Sequence, residues 1–479
     1  MIISAFEVVS AVEGKLLQGS GEQTFSSVAT DTRQLHTGAL FFALQGENRD
    51  GHDFIPDAEG RGAAGAVVKC LPKGMQTALA LVQVVDPLTA LGRLAAWWRR
   101  KFPVPCIAIT GSSGKSTTKE MAAKILEDRF PVLANEENFN TEIGVPLTLF
   151  RLNSDHRALV QELGMRGRGQ IALLASLIEP KVGVITNVGT AHVGILGSRE
   201  AILEAKLELS RCLAPGGTLV VAGDDPTLRK RAMEGAAAVV TFGLKSHNDL
   251  HATDVVPDGP AMRFNMHFAT ETAQVRLPLA GTHNVLNALA ATAATIQLGV
   301  GLAEAAASLG ALRPLRMRCQ PIQTAAGITI LNDSYNANPE STQAALQMLS
   351  LWPAEGERIA VLGDMLELGD YAREAHSRIG AEAARLGVNL IVAVGEFAQA
   401  VVEGARKTEG YQGKAHLCRT KQEAKKFLLR QVRPGAAVLV KGSRMTGMEE
   451  MVEALQSEFS NAGPSKPGSL QPLKPSPGR

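Results

Sequence analysis

The segment Cys106–Glu120, CIAITGSSGKSTTKE, restricts the fold of this chain more than any other stretch. Its apolar residues Cys106–Ile109 are typical of a buried strand, and the glycine turn that follows leads into a helix predicted to open at Ser116. A strand, a glycine turn and a helix N-terminus direct backbone N–H groups and the positive end of the helix dipole toward one point. The segment therefore predicts an anion site between a strand and a helix.

The side chains of this turn favour ATP. Gly111 and Gly114 let the backbone approach a phosphate, Lys115 supplies a cation, and a serine hydroxyl follows that can ligate magnesium. The P-loop pattern G-x-x-x-x-G-K-[ST] requires a glycine where this chain has Ile109, so the loop is a shortened one. A plain glycine turn with a solvated lysine is the structural alternative, which the two hydroxyls after the lysine disfavour. The candidate nucleotide-binding residues here are Thr110, Gly111, Ser112, Ser113, Gly114, Lys115, Ser116 and Thr117.

Length and composition limit the class of protein. At 479 residues the chain is too long for one core, so two or three domains are expected. A formal net charge of +2 and an aromatic content of 4% give no indication of a nucleic-acid partner. No apolar run is long enough to span a membrane, no signal peptide is visible, and the five scattered cysteines fit a reducing compartment. We expect a cytoplasmic monomer.

Residues 1–102 have the pattern of a small α/β domain. Ala39–Leu44 is typical of a strand, and Leu88–Arg100 has apolar residues at helical spacing. The polar loop 46–54, GENRDGHDF, can present N–H groups to a ligand, although a solvated turn is an equally good interpretation of its spacing. The sequence Phe102–Pro105 then breaks the chain, which predicts a domain boundary.

The central region, residues 103–313, places polar residues after apolar strands. Glu162 follows the predicted strand Ala158–Gln161, and ligands of open α/β sheets collect at that end of the strands. A carboxylate there could hold magnesium, or it could be a solvated strand end. His192 lies past the strand Val182–Ile185 and could bind a metal, although a single histidine is more often an ordinary polar residue.

Lys206 interrupts the apolar stripe of a helix predicted over Glu200–Leu213. Ile202 and Leu209 lie on the same face of that helix. A lysine in such a stripe usually snorkels to the surface, and the residues alone favour that interpretation. The alternative is a buried amine of lowered pKa, which could take up carbon dioxide as a carbamate and bind a metal.

The remaining candidates lie in two later regions. Asn284 and Asn287 share one face at the start of a predicted helix and could contact a base or sugar, with helix capping as the structural alternative. Residues 314–460 form a third α/β segment, in which Asn332–Pro339 collects an acid, a phenol and several amides in one loop. Its last strand leads into Lys441, Ser443 and Arg444, a receptor suited to a carboxylate or phosphate. The tail, residues 461–479, is rich in proline, serine and glycine and is predicted to be disordered.

These motifs, in this order, resemble the Mur ligases of bacterial cell-wall synthesis. The resemblance runs from about residue 25 to residue 455 and rests on TDTR, GALFFALQGENRDGHDF, TGSSGKST, NFNTEIGVP, ELGMRGRGQI, TNVGTAHVGILGS, GTHNVLNA, NDSYNANP, VLGDMLELG and VLVKGSR. It implies a three-domain α/β architecture: a UDP-substrate domain, a central P-loop ATPase-like parallel sheet and a Rossmann-like C-terminal domain.

The resemblance also implies an activity. NDSYNANP is characteristic of the family member that joins D-alanyl-D-alanine to UDP-N-acetylmuramoyl-tripeptide, with ATP activating the tripeptide carboxylate as an acyl phosphate. The alternatives are another Mur-type or folylpolyglutamate-type amide ligase, and a module that binds ATP without ligation.

Site roles follow from the same resemblance. It implies two magnesium ions, one held by Ser116 and Glu162 and the other by His192 and a carbamylated Lys206. The implied catalytic set is Lys115, Glu162, His192 and Lys206. The implied adenine and ribose contacts are Asn284, Asn287, Asp333, Tyr335, Asn336, Asn338 and one arginine, Arg316 or Arg318. The implied substrate contacts are Thr32, Arg33, Gly46, Asp50, His52, Asn140, Thr141, Lys441, Ser443 and Arg444.

Overall fold

The computed structural model describes residues 1–46, 48–71, 74–136, 138–235, 238–313 and 315–460. Within these residues the chain forms four β-sheets, and most neighbouring strands in the three larger sheets run parallel. The α/β class predicted from the sequence is therefore confirmed. The predicted tail lies outside the described residues.

The chain divides into two compact units, each with its own hydrophobic core. The first unit comprises Met1–Val256, Arg263–Leu277 and Thr282–Leu312. The second comprises the chain from Arg313 onward, together with Pro257–Met262 and Pro278–Gly281. The domain limits placed at residues 102, 313 and 460 stay predictions, and residue 102 lies inside the first unit.

The first hundred residues build a five-stranded sheet and a short strand pair. The strands are β1 (Ile3–Ser4), β2 (Lys15–Gln18), β3 (Thr24–Phe25), β4 (Ser27–Ala29), β5 (Ala39–Phe42), β6 (Gly65–Val68) and β7 (Ala80–Gln83). The helices are α1 (Ala5–Val12), α2 (Ile55–Gly60) and α3 (Pro87–Arg100). The larger sheet has the order β2-β7-β6-β5-β4, with β2 antiparallel to β7, and β1 pairs with β3. Asp86 begins α3 by accepting hydrogen bonds from two backbone N–H groups, and Pro87 needs no partner at the first helical position.

Two side chains at the end of α3 hold the segment that the sequence marks as a boundary. The indole N–H of Trp98 donates to the carbonyl of Leu152 at 3.1 Å. The buried guanidinium of Arg99 donates to the carbonyls of Phe102 and Val104 at 2.7 and 2.8 Å. The chain break at residues 102–105 is therefore a fixed turn inside one unit.

The central region carries a nine-stranded sheet. Its strands are β8 (Cys106–Thr110), β9 (Val132–Ala134), β10 (Ala158–Glu162), β11 (Val182–Ile185), β12 (Thr218–Ala222), β13 (Val239–Gly243), β14 (Leu250–Asp258), β15 (Ala261–Phe268) and β16 (Glu271–Leu277). Its helices are α4 (Lys115–Glu127), α5 (Gly144–Leu149), α6 (Gln170–Ile178), α7 (Val193–Leu196), α8 (Arg199–Arg211), α9 (Pro226–Gly235), α10 (Thr282–Ile296) and α11 (Leu302–Gly310). The strand order is β16-β15-β14-β13-β12-β11-β8-β10-β9.

The order of this sheet positions the candidate site. Strand β8 lies between β10 and β11, and both neighbours are parallel to it. All five residues of β8 are buried, as expected for a strand covered on both faces. The loops after β8, β10 and β11 therefore emerge side by side at one edge of the sheet.

The second unit contains a six-stranded sheet. Its strands are β17 (Gln320–Gln323), β18 (Thr329–Asp333), β19 (Arg358–Leu362), β20 (Leu390–Val394), β21 (Lys414–Cys418) and β22 (Ala437–Lys441), in the order β17-β18-β22-β19-β20-β21. Its helices are α12 (Pro339–Leu351), α13 (Ala372–Arg385), α14 (Ala398–Arg406), α15 (Lys421–Gln431) and α16 (Glu449–Ser460). All neighbouring pairs are parallel except β17 with β18.

Two sequence expectations differ from the structure. Residues 215–280 have the sequence pattern of strands and turns, but α9 lies within them and buries Leu228 and Ala232. Its short apolar face gives a weak periodic signal. Several predicted strands also end too early, since Glu162 and Lys441 are the last residues of β10 and β22. The backbone of these polar residues pairs with the neighbouring strand in the same way as the backbone of the apolar residues before them.

Candidate functional site

The glycine turn after β8 is held against the loop after β11. Gly111 has a φ of 152°, and a Cβ there would lie 1.8 Å from the hydroxyl oxygen of Thr186. The backbone N–H of Ser113 donates to the side chain of Asn187 at 3.0 Å, and the Thr186 hydroxyl donates to the Ser113 carbonyl at 2.6 Å. Lys115 Nζ donates to the Gly111 carbonyl at 2.9 Å. The shape of the turn is thus set by contacts within the protein.

Helix α10 contacts the same turn through its asparagines. Gly114 has a φ of 78°, and a Cβ at this position would lie 2.2 Å from Asn287 Oδ1. The hydroxyl of Thr118 donates to Asn287 Oδ1 at 3.4 Å, and Asn287 Nδ2 donates to Asn284 Oδ1 at 3.2 Å. Both asparagines are buried. The structure therefore brings the predicted pair to the start of α4, where Asn287 lies against the phosphate loop.

Glu162 is a buried carboxylate beside the first turn of α4. Its side chain is held by the hydroxyl of Ser116 at 2.5 Å and by Asn140 Nδ2 at 2.9 Å. Its backbone N–H donates to Asn135 Oδ1 at 2.7 Å. The sequence placed Ser116 and Glu162 together by resemblance, and the structure brings them into contact. Asn135, which the sequence analysis missed, also belongs to this group.

Lys206 is packed inside the first unit. It is only 1% exposed on α8, so the snorkelling interpretation is wrong. Among the described residues no hydrogen bond or ion pair reaches its amine. Burial first, and then the charge of Lys115, holds the pKa of the Lys206 amine well below its ordinary value. Burial therefore disfavours the charged form of this amine, which lies near the lysine of the phosphate loop.

His192 follows β11 in a left-handed conformation. Its φ is 66°, it is partly buried, and it immediately precedes α7. The same loop contacts the phosphate loop through the backbone N–H of Gly189, which donates to the Ser112 hydroxyl at 2.9 Å. His192 therefore lies on a segment that is attached to the glycine turn.

The predicted substrate residues of the N-terminal region make mainly local contacts. Arg33, with a side chain 82% exposed, pairs with Asp31 at 2.6 Å. His52 is buried, its Nδ1 lies 2.6 Å from Asp50 Oδ1, and its Nε2 accepts the backbone N–H of Lys69 at 3.0 Å. Both ring nitrogens of His52 are thus occupied within the protein, so its side chain shapes the loop and Arg33 is the more accessible group. Thr32 is buried and Gly46 is exposed.

A second polar cluster lies at the ends of β18 and β22. Lys441 is 3% exposed, and its ammonium donates to Asp333 Oδ2 at 2.5 Å and to the Asn336 carbonyl at 2.9 Å. The other oxygen of Asp333 accepts the backbone N–H of Cys319 at 3.0 Å. This buried ion pair fastens the polar loop after β18 to the last strand.

The remaining candidates of the second unit have distinct positions. The guanidinium of Arg318 lies 4.0 Å from the centre of the Tyr335 ring, whereas Arg316 is exposed. This contact favours Arg318 over Arg316 as the arginine that the resemblance implies. Asn338 caps α12 by accepting the backbone N–H of Ser341 at 2.8 Å.

Ser443 and Arg444, although adjacent, have different surroundings. The buried Ser443 hydroxyl accepts the backbone N–H of Leu366 at 2.9 Å and donates to the Ala337 carbonyl at 3.2 Å. Arg444 forms a surface ion pair with Glu449 at 3.0 Å. Ser443 therefore joins loops, and Arg444 is the accessible residue of this pair.

Asn140 and Thr141, in the first unit, are also adjacent. Asn140 belongs to the Glu162 group, whereas Thr141 is exposed and is the accessible residue of the two.

Sequence reasoning missed the residues that support the site. Asn135, Thr186 and Asn187 act through side-chain contacts with the backbone of other loops. The resemblance motif TNVGTAHVGILGS contains the last two, which is the one signal that could have identified them.

Comparison with known proteins identifies the family. The Mur ligase family catalytic domain matches residues 24–99, the Mur ligase middle domain matches residues 109–295, and the Mur ligase glutamate ligase domain matches residues 317–444. The chain therefore belongs to the Mur ligase family, whose members are ATP-dependent ligases that form peptide bonds. The three-domain Mur ligase architecture implied by the sequence is confirmed.

Particular relatives are similar to this chain in sequence and structure. It is 37% identical to UDP-N-acetylmuramoyl-tripeptide–D-alanyl-D-alanine ligase of Synechocystis sp., over 95% of this chain and 98% of the relative. A crystal structure of MurF from Acinetobacter baumannii superposes with a TM-score of 0.88 at 34% identity, covering 95% of this chain and 99% of that one. MurF ligase from Thermotoga maritima in complex with ADP has a TM-score of 0.81 at 26% identity, covering 90% and 97%. Within the described ranges, no helix is both long and apolar enough to cross a membrane.

Proposed function

We propose that this protein is an ATP-dependent ligase that joins D-alanyl-D-alanine to UDP-N-acetylmuramoyl-tripeptide in peptidoglycan precursor synthesis. Family membership supports the reaction class, and relatives named for this reaction, matched over nearly their whole length, support the choice of substrates. The further contacts to nucleotide and substrates that the sequence motifs imply are part of this proposal.

The observation that carries the proposal is the phosphate loop with its adjoining carboxylate. The backbone N–H groups at the N-terminus of α4 are suited to phosphate oxygens, and Lys115 adds a cation. The Ser116 hydroxyl and the buried Glu162 carboxylate lie 2.5 Å apart beside that turn. Positioning and neutralising phosphates is most of what a protein must do for phosphoryl transfer.

The donor set fits magnesium. Mg²⁺ prefers hard oxygen ligands, and Ser116 with Glu162 supplies a hydroxyl and a carboxylate. His192 and a carbamylated Lys206 would hold a second ion. Lys206 suits carbamylation because burial lowers the pKa of its amine, which makes the neutral form easier to reach, and the resulting anion would lie near the cation Lys115. When bound, magnesium supplies charge neutralisation of the phosphate groups.

The chemistry follows from the weakness of a carboxylate as an electrophile. Transfer of the γ-phosphoryl group of ATP to the terminal carboxylate of the tripeptide gives an acyl phosphate, which carries a good leaving group. ADP is the other product of that transfer. The free amine of D-alanyl-D-alanine then attacks the acyl carbon, and the tetrahedral intermediate expels phosphate and loses the amine proton to leave the amide. Lys115 and the N–H groups at the start of α4 would stabilise the negative charge on the phosphate oxygens during the first step.

Product analysis tests this proposal. The purified chain is incubated with ATP, Mg²⁺, UDP-N-acetylmuramoyl-tripeptide and D-alanyl-D-alanine, and the nucleotide products are analysed by mass spectrometry. We expect the mass of the tripeptide nucleotide to rise by one D-alanyl-D-alanine less one water, with one ADP and one phosphate per product. If no dipeptide is added but an amide forms in a parallel incubation with a single amino acid in place of D-alanyl-D-alanine, the chain is another Mur-type or folylpolyglutamate-type ligase. ATP binding without phosphate release would indicate a non-ligating module.

A further inference from the structure

Lys119, a buried lysine of α4, has no role in the mechanism above. Lys119 is 2% exposed, and its ammonium donates to the backbone carbonyl of Asn135 at 2.6 Å. It also pairs with the carboxylate of Glu120 at 2.6 Å, on a side chain that is 43% exposed. Removing an ammonium from water is costly, and an apolar residue could pack α4 against the sheet without that cost. The polar contact of Lys119 therefore requires an explanation beyond packing.

Asn135 connects Lys119 to the carboxylate of the proposed metal site. It directly follows β9, whose pairing with β10 ends at Ala134 and Val160. Beyond that point the side chain of Asn135 provides the acceptor that a strand carbonyl would otherwise provide, because its Oδ1 accepts the backbone N–H of Glu162 at 2.7 Å. Asn135 is itself 1% exposed. Its carbonyl is thus held by Lys119 and its N–H donates to the Val160 carbonyl at 3.3 Å, while its side chain holds Glu162.

Helix α4 therefore reaches Glu162 by two routes. Ser116 and Lys119 are three residues apart and share one face of the helix. Ser116 contacts the Glu162 carboxylate directly at 2.5 Å, and Lys119 acts on the Glu162 backbone through Asn135. A shift of Asn135 would move the peptide that carries the carboxylate without removing any group from the site.

We propose that Lys119 is a positioning residue that sets the magnesium affinity of the nucleotide site by fixing Asn135 and, through it, Glu162. This inference rests on the magnesium site of the proposed function. Outer-shell partners of metal ligands typically change metal affinity by about 10- to 100-fold when they are removed.

The test measures ADP binding, which does not depend on ligation. Lys119→Met keeps the apolar stem and removes the ammonium. The dissociation constant of ADP is measured by calorimetry in EDTA and in saturating Mg²⁺, and the ratio of the two gives the magnesium enhancement. We expect Lys119→Met to reduce this enhancement about tenfold with no change in EDTA, and to raise the Mg²⁺ concentration for half-maximal ligation by a similar factor.

Two further variants separate positioning from general damage. Lys124→Met is the matched control, since Lys124 lies on the same helix and pairs with Asp128 at the surface; its magnesium enhancement should equal that of the wild type. Asn135→Leu should reproduce the Lys119→Met effect, and the double variant should be no worse than Asn135→Leu alone, because both act through one link. If Lys119→Met does not fold, Asn135→Leu decides.

Three results would overturn the inference: an unchanged magnesium enhancement in folded Lys119→Met or Asn135→Leu, an equal loss of ADP affinity in EDTA, or additive losses in the double variant. A wild-type protein that forms no amide but shows magnesium-enhanced ADP binding would refute the proposed reaction and leave this inference standing.

Discussion

Two clusters of this protein each have a lysine at or just beyond the C-terminal end of a parallel strand, but different groups contact the two lysines. At the end of β8, Lys115 donates to a backbone carbonyl and lies near a second amine, that of Lys206. At the end of β22, Lys441 donates to the buried carboxylate of Asp333. Lys115 lies beyond the end of a parallel strand and Lys441 is the last residue of one, at the edge where ligands of α/β sheets commonly bind.

The difference shows that position at a strand end does not by itself make a ligand-binding cation. The phosphate loop concentrates positive charge from Lys115 and the N-terminus of α4, which favours an incoming anion. The second cluster satisfies its cation internally, so Lys441 joins two loops. We therefore expect substitutions at the first cluster to affect chemistry and substitutions at the second to affect stability.

Lys115→Ala gives the largest expected effect. Loss of a transition-state phosphate contact typically costs about 3 kcal/mol, so the ligation rate should fall roughly a hundredfold or more with the fold intact. Steady-state rates at saturating ATP, together with the melting temperature, check this prediction. Turnover near the wild-type value would contradict the assignment of Lys115.

Substitutions of Lys206 test whether its amine, which lies near Lys115 of the phosphate loop, is carbamylated and thereby becomes an anion. Lys206→Ala should be impaired by roughly a hundredfold, and short-chain carboxylic acids should partly restore activity by filling the anionic position. Lys206→Arg should remain inactive because a guanidinium keeps its positive charge. A crystal structure should show extra atoms on the Lys206 amine. A fully active Lys206→Arg enzyme would remove the carbamate from the mechanism.

Lys441→Met tests the structural half of the comparison. It leaves the Asp333 carboxylate buried and unpaired, which typically costs about 3–5 kcal/mol. Hydrogen–deuterium exchange of β18 and β22 should accelerate strongly, with little change around β8. Arg444→Met is the matched control, because it breaks a surface pair with Glu449 worth about 1 kcal/mol or less. Equal exchange rates in the two variants would contradict the internal role of Lys441.

Removal of residues 463–479 should have the smallest effect. The composition of this segment offers no apolar side to dock, so neither the ligation rate nor the melting temperature should change appreciably. Rates and melting curves of the truncated and full-length chains check this. A clear drop in melting temperature would show that the tail packs on the body of the protein.

The sequence by itself determined the local structure and the order of the motifs. The strand predicted over Cys106–Ile109 ends one residue later, at Thr110, and the helix predicted to open at Ser116 begins one residue earlier, at Lys115. Such features depend on neighbours a few positions apart, which a single sequence displays directly. Gly111 and Gly114 also met expectation, because a close approach of backbone requires the absence of a side chain.

Only the tertiary structure decided which polar groups are paired. Spacing favoured an exposed Lys206, but the helix that carries it is covered at that position. Ser116 meets Glu162 across 46 residues, and Lys441 meets Asp333 across 108. The periodicity of one segment contains no information about a partner so distant, and the charge state of a lysine depends on that partner and on burial. The sequence could therefore nominate these lysines, and the packing of strands and helices around them assigned their roles.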